Sequence, residues 1–408
     1  MVDAYSLGRH LVPALRRHGM ECVHVQSPNP DVHLGQMPVP DGFVTNIRHE
    51  GDVAATASVL REYGVGQVIS GGESGVALAD QLSAELGTPG NGMSRPAARR
   101  NKYDMVLALR EAGLAHAATI VSADAEDVVE WAEETAGYPV VLKPVASAGA
   151  DNVMACSSPE EIRTAHAKIM GSSDRHGMRN TVVLAQEFLH GDEYFINTVS
   201  RDGRHHTVEI WRYYKVRLPG GNFVYDYDEP LSPDDPVAKS LESYTHQVLD
   251  ALEIRNCAGH SEVMLTADGP VLVECAARPA GAQIPEISTR CFGTSQVELL
   301  ALSMAKPDEF NRLPTTVYQM LQHTRWVSLI NSRDHGVIPS HEKMAAIRAL
   351  PSHAHTLMAH PEGHLLPRTI DVATLPGWVY LVSDDPEVVR ADYRRLRQIE
   401  SDYLYDPV

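Results

Sequence analysis

Glu262 and Glu274 are the residues whose types and spacing most directly suggest chemistry. Cys257–Leu265 and Val271–Ala276 flank Ala267-Asp268-Gly269-Pro270, a strong hairpin signal. With the turn centred on Asp268, Glu262 falls directly across from Glu274 on one face, about 5 Å apart at Cβ. Opposed like charges repel, so the pair calls for something positive between them. Hard oxygen ligands of this kind suit Mg²⁺, which takes one or two carboxylates together with phosphate oxygens. A one-residue slip in register instead leaves two exposed acids on opposite faces.

Three further groups accompany the pair. The apolar run Val140-Val141-Leu142 delivers Lys143 to a loop of small residues, Ser147-Ala148-Gly149-Ala150, whose backbone N–H groups suit phosphate oxygens. The spacing is neither GxxxxGK[ST] nor GxGxxG, and an ordinary strand end reads equally well. Gln186-Glu187-Phe188-Leu189 ends a strand, offering edge backbone groups to a purine, with Glu193 in reach of a ribose; a plain strand and turn is the alternative. Arg278, four residues past Glu274, is followed by Pro279-Ala280-Gly281-Ala282. A guanidinium there binds a carboxylate or oxyanion bidentately, or makes a surface ion pair. Only seven of the 35 basic residues are lysines, which gives weight to each lysine at such a place.

The elements that position these residues alternate. A strand over Glu21–Gln26, a helix capped by Asp52, an apolar run Gln67–Ser70 and a helix through Val76 and Leu82 predict a parallel sheet covered by helices. Pro13 makes the helix around Leu11–Arg17 start late or kink. Ser94–Ala112 reads as one amphipathic helix with Ser94 as cap and Pro96 in its first turn. From Ala118 to Leu189 the order is strand, helix, strand, glycine loop, strand, helix, strand, with a capping box at Ser158-Pro159-Glu160-Glu161. Asp202-Gly203 marks a hairpin between Tyr194–Ser200 and His205–Lys215. Helices follow over Val237–Leu252, Leu299–Met304 and Asp385–Ile399.

The 408 residues suggest roughly two to three domains. A formal charge of −18 argues against a nucleic-acid partner. No apolar run is long enough for a membrane span, and Met1-Val2-Asp3-Ala4 starts no secretory leader. Five scattered cysteines (22, 156, 257, 275, 291) read as reduced thiols, which places the chain in the cytoplasm.

Taken in order, these pieces resemble the ATP-grasp ligases. Asn101-Lys102-Tyr103-Asp104-Met105 and Val141-Leu142-Lys143-Pro144 look like the two nucleotide-lysine motifs. Ser147–Val153 looks like the loop over the phosphates, and Gln186–Leu189 with Glu193 like the adenine hinge and ribose acid. His260-Ser261-Glu262 and Glu274-Cys275-Ala276-Ala277-Arg278 look like the metal pair and its arginine. Within the family the chain is most similar to carboxylate–amine ligases of the L-amino-acid type, with Ser70-Gly71-Gly72-Glu73 and the long C-terminal region as added likenesses.

The resemblance implies an α/β and α+β fold. It has an N-terminal Rossmann-like parallel-sheet domain (1–92), a connecting helix (93–117), a mobile lid (118–188) and a C-terminal mixed-sheet domain with an extension (189–408). It implies ATP and Mg²⁺, with Mn²⁺ as substitute. Lys102, Lys143, Ser147, Gly149, Gln186, Glu187, Leu189 and Glu193 would hold nucleotide, and Glu262 and Glu274 the metal. Arg278 would bind the reacting carboxylate, and Lys215 the γ-phosphate. His260 would help position the amine, unless it is a packed core histidine. Gly281 would leave room for substrate. Glu73 would take a substrate amino group, unless it only stabilises its own helix start. The reaction would join a small carboxylate to a small amine through an acyl phosphate, in a homodimer. A carboxylating or thiol-forming relative and an inactive ATP-binding protein are the alternatives. The 147–152 loop is expected to be mobile without nucleotide. One departure stands out: the family commonly has Asn two residues after the second metal Glu, and this chain has Ala276.

Overall fold

The computed structural model describes residues 1–30, 42–146, 152–173, 179–218, 223–281 and 283–405. Ser147 and Gly149 lie outside the described residues, as does the 147–152 loop except for Asn152.

The N-terminal sheet is parallel. Strand β1 (His24–Gln26) pairs with β2 (Asn46–Arg48), and Val2 bridges both Val25 and Ser70. Helices Val53–Glu62 and Val76–Leu86 cover it through Ala57, Leu60, Leu78 and Leu82. Asp52 caps the first as its spacing implies, accepting from Ala55 N at 3.0 Å. A 3₁₀ turn over Ser6–His10 runs into the helix Leu11–Arg17, so Pro13 falls in the first α-turn, where its missing N–H costs no helical bond.

The single helix expected over Ser94–Ala112 is two elements. Pro96–Arg99 is a 3₁₀ turn, and the helix proper is Lys102–Glu111. Asn101 caps it, accepting from Tyr103 N (2.9 Å) and Asp104 N (3.2 Å), while Ser94 turns instead to Glu253. The break sets Lys102 at the helix start. Arg99, in the turn, is fully buried and binds Asp80 (2.8 Å), Leu252 O (2.9 Å) and Gly92 O (2.7 Å), tying the N-terminal region to the core. Removing one partner strands a buried charge. Asp80→Leu should therefore cost about 3–5 kcal/mol, read as a fall in the urea midpoint at unchanged m-value.

The next sheet contains β3 (Thr119–Ser122), β4 (Val140–Lys143), β5 (Met154–Cys156) and β6 (Val183–Glu187), in the order β3-β6-β4-β5. Its apolar face, with Leu142, Val183 and Ala185, packs on Ile162, Ala165 and Ile169 of helix Pro159–Met170. Ser158 caps that helix, but Glu161 reaches back to Ser157 N (2.7 Å), one residue earlier than a standard capping box.

The largest sheet has eight strands. They are β7 (Asp192–Arg201), β8 (Arg204–Arg217), β9 (Phe223–Pro230), β10 (Ala258–Thr266), β11 (Gly269–Ala276), β12 (His323–Ser328), β14 (His353–Met358) and β16 (Gly377–Ser383). A separate two-stranded ribbon joins β13 (His335–Val337) to β15 (Leu365–Pro367). The order is β11-β10-β7-β8-β9-β12-β16-β14. Every pairing between its strands is antiparallel, where the sequence reading expected a mixed sheet: tight turns join β7 to β8 and β10 to β11, and the helical connection Pro236–Ala251 returns the chain from β9 to β10, which lies antiparallel to β7. Asp202 and Gly203 both have positive φ (51° and 78°), the primed turn that matches strand twist.

Two β-bulges decide what this sheet presents. The turn between β10 and β11 is the two-residue Ala267-Asp268, so Val263 opposes Leu272 and Thr266 opposes Gly269. Continued unbroken, that register sets Glu262 against Val273 and turns Glu274 to the other side. A bulge at Val273 restores the Glu262–Glu274 and His260–Ala276 pairs. The expected pairing is thus reached through a bulge, not a turn centred on Asp268. A second bulge, at Asp226, keeps both Tyr225 and Asp228 on the same face. Asp226 itself points to Tyr393 Oη (2.6 Å) and Arg397 Nε (2.9 Å) of helix Pro386–Ile399. One face of the sheet therefore carries Glu274, Glu262, His260, Glu193, Phe195, Asn197, Glu209, Trp211, Tyr213, Asp228 and Trp326 by direct cross-strand pairing and alternation.

Candidate active site

That face and the side of the four-stranded sheet that carries Val141, Lys143, Ala155 and Gln186 enclose a cleft of about 920 Å³. The cleft brings together Lys102, Lys143, Gln186, Glu187, Leu189, Glu193, Lys215, His260, Glu262, Glu274, Arg278 and Gly281, residues from seven helices and strands and two loops spread over 180 positions of chain. Glu73 stands behind Arg278.

The charges interlock. Lys102 Nζ binds Glu274 at 3.0 Å and supplies the positive group the paired glutamates require. Lys143 Nζ donates to Gln186 Oε1 at 3.0 Å and is buried; burial and the neighbouring Lys102 pull its pKa down to about 8, against the pull of Glu274, Glu262 and Glu193. Burial alone would raise Glu262, but His260, Lys215 and the Tyr213 hydroxyl (3.2 Å) outweigh it and hold the carboxyl at about 2. Lys215 pairs with Glu193 and lies 4.8 Å over the Tyr225 ring; burial still raises the Glu193 carboxyl.

Glu73 differs from its expected role. Its Oε2 takes Arg278 Nε (2.7 Å) and its Oε1 takes Arg100 Nη1 (2.6 Å), so both oxygens are occupied by guanidinium groups. The two arginines overcome burial and hold the carboxyl at about 2. The residue positions Arg278 and is not open to a substrate amino group. Glu187 is similarly engaged: its Oε1 accepts from Ala118 N at 2.8 Å, so any purine contact there falls to the backbone of the segment. Gln186 holds Lys143 and Thr119 Oγ1 (3.2 Å).

Several participants carry no motif. Asn197 Nδ2 donates to Glu209 Oε1 (2.8 Å) and Gln283 Oε1 (3.0 Å), which turns Asn197 Oδ1 to His260 Nδ1 at 2.8 Å. Nδ1 therefore donates to that oxygen, and Nε2 looks into the cleft, 3.8 Å from Glu262 Oε1. Trp211 Nε1 (3.0 Å) also donates to the fully buried Glu209. Asn197 escaped the sequence reading because it meets His260 only through the pairing of β7 with β10, which are distant in the chain.

The donor set fits a nucleotide with a divalent cation: two lysines at one side, two carboxylates on one face, and an arginine beyond them. Among the described residues no three acidic, histidine or cysteine side chains already converge on a cation position, Glu274 being held by Lys102. His260 lies across from Ala276, and its Nε2 is 3.8 Å from Glu262 Oε1.

Comparison with known proteins agrees with this geometry. The profile of the ATP-grasp domain matches residues 136–286. Dapdiamide A synthase of Enterobacter agglomerans is 32% identical over 415 residues, covering 99% of this chain and 96% of that protein. The chain belongs to the ATP-grasp ligases. The L-arginine-specific L-amino acid ligase of Bacillus subtilis is 25% identical over 234 residues, 56% of this chain and 55% of that protein. The crystal structure of an L-amino acid ligase from Bacillus licheniformis superposes with a TM-score of 0.74 at 19% identity, covering 96% of this chain and 94% of that one. That last likeness is one of fold, a parallel N-terminal sheet beside a large antiparallel one.

Proposed function

We propose that this ligase joins the carboxylate of one amino acid to the amine of another through an acyl phosphate, releasing ADP and phosphate. The observation that carries the reading is the Glu262–Glu274 pair on one sheet face, with Lys102, Lys143 and Arg278 around it. The names of the relatives support amino acids as the substrate class. The buried free cysteines suit a cytoplasmic protein, and among the described residues no helix is long and apolar enough to cross a membrane. A homodimer is proposed as well, to be checked by light scattering.

Glu262 and Glu274 would hold Mg²⁺, or Mn²⁺ in its place, which supplies charge neutralisation at the phosphates. Lys102 leaves Glu274 for a phosphate, Lys143 holds a second phosphate oxygen, and Lys215 is the candidate for the terminal one. The 188–190 segment receives adenine and Glu193 the ribose. Ser147 and Gly149 are proposed for the phosphate loop. Arg278, fixed by Glu73 and by Pro279 O (3.0 Å), orients the reacting carboxylate and then meets the oxyanion. The N–C bond forms as the C–O bond to phosphate breaks. Residues 118–188 act as a lid over the 1–92, 93–117 and 189–408 parts, excluding water from the acyl phosphate.

Purified protein with ATP, Mg²⁺ and pools of amino acids tests this. Phosphate release that requires two amino acids, with a new mass equal to their sum less water, is the expected result. AMP and pyrophosphate as products, or no turnover with any pool, contradicts it.

Lys143 adds a pH dependence. Nucleotide phosphates bind its protonated form, and its pKa in the free protein is about 8. The sign is therefore loss with rising pH: the ATP dissociation constant should climb toward about tenfold per pH unit above 8. Calorimetry at pH 8.5 in buffers of different ionisation heat should show proton uptake on binding. Lys143→Met should abolish that uptake.

A further inference from the structure

The end of the cleft formed by β9 and β12 holds polar atoms that the protein leaves unsatisfied. Asp228 and Trp326 face each other across these strands, and both line the cleft with Gln283. They are 6%, 9% and 5% exposed. Among the described residues, Asp228 Oδ1, Trp326 Nε1 and Gln283 Nε2 are buried and have no hydrogen-bond partner. Leaving such groups unpaired costs about 1–3 kcal/mol each, more for a charge. Asp228 and Trp326 occupy paired strand positions, so their open atoms share one stretch of the cleft wall, and Gln283 lines the same cleft.

The acids of β9 sharpen the point. Asp226 is paired with Arg397 and Glu229 with Arg325. Asp228, the one aimed into the cleft, forms no ion pair among the described residues. Glu193 and Glu262 add negative charge around it, opposed by Lys215. A ligand that carries an N–H donor with positive charge completes this position. The two N–H donors beside it require an acceptor. The carboxylate expected to bind a substrate ammonium, Glu73, is closed by two arginines.

We propose that Asp228, Trp326 and Gln283 form the subsite of the carboxylate donor. The donor is an α-amino acid whose ammonium group bonds to Asp228 Oδ1 and whose side chain brings a hydrogen-bond acceptor to Trp326 Nε1 and Gln283 Nε2. The assignment rests on the ligase reading above.

Hydroxylamine in place of the amine substrate tests it, because it converts each acyl phosphate into a hydroxamate. The probes are L-asparagine, L-glutamine and L-leucine, each beside the same acid without its amino group. Leucine matches asparagine in shape and lacks the acceptor. The wild type should favour each amino acid over its des-amino acid, and asparagine or glutamine over leucine, by at least about tenfold. Asp228→Asn should remove the first preference and Trp326→Phe the second, with melting temperature and ATP binding retained. Equal hydroxamate from acids with and without the amino group, or preferences unchanged in both variants, overturns the subsite and leaves the ligase reading intact. No hydroxamate from any acid overturns the ligase reading and the subsite with it.

Discussion

Glu274→Gln should lower turnover on the order of a thousandfold while leaving the melting temperature within a few degrees of the wild type. The magnitude follows from losing the charge that would bind the cation at the reacting phosphate. The small change in stability follows from position. Glu274 is partly exposed at the cleft, and its main contact is the pair with Lys102, so glutamine keeps the shape and a hydrogen-bonding oxygen. The substitution also removes the ion pair that Lys102 makes with Glu274. ATP binding without metal should thus be unchanged or tighter, while the metal dependence of binding disappears. Steady-state turnover together with calorimetric ATP titration, with and without Mg²⁺, checks both parts. Wild-type turnover in the variant rules out a metal role for Glu274.

Arg278→Met should cost about 10²–10³ in kcat, the usual loss when one donor to a developing oxyanion is removed. Glu73→Gln separates orientation from contact. There Arg278 keeps its charge but loses the carboxylate that holds Nε. About tenfold in KM for the carboxylate substrate, with a smaller change in kcat, is expected. Equal losses in the two variants would mean that Glu73 touches substrate itself. The same carboxyl is held at about 2 by its two arginines, so it stays ionised through the whole working pH range and adds no acid limb to the profile.

Much of the fold and the site was legible because chemistry and local structure coincide in the motifs. Lys143 closes an apolar strand, Asp202-Gly203 has the residues a primed turn requires, and the Glu262–Glu274 spacing nearly meets hairpin geometry by itself. What stayed hidden depends on long-range packing. Nothing local distinguishes Asp226, Asp228 and Glu229, yet a bulge and two arginines from β12 and the last helix leave only Asp228 facing the cleft. Glu73 shows the same limit. Its helix-start position was visible, but Arg100 and Arg278, 27 and 205 residues away, decide what it does. The break at Asn101 was missed because the apolar spacing continues across it while the capping side chain interrupts the backbone.

Transfer of ¹⁸O from a labelled substrate carboxylate tests the acyl-phosphate step most directly. With both carboxylate oxygens labelled, the reaction should place one ¹⁸O in inorganic phosphate, read by mass spectrometry, with ADP as the nucleotide product. Label in AMP, or phosphate free of label while amide accumulates, would contradict the account.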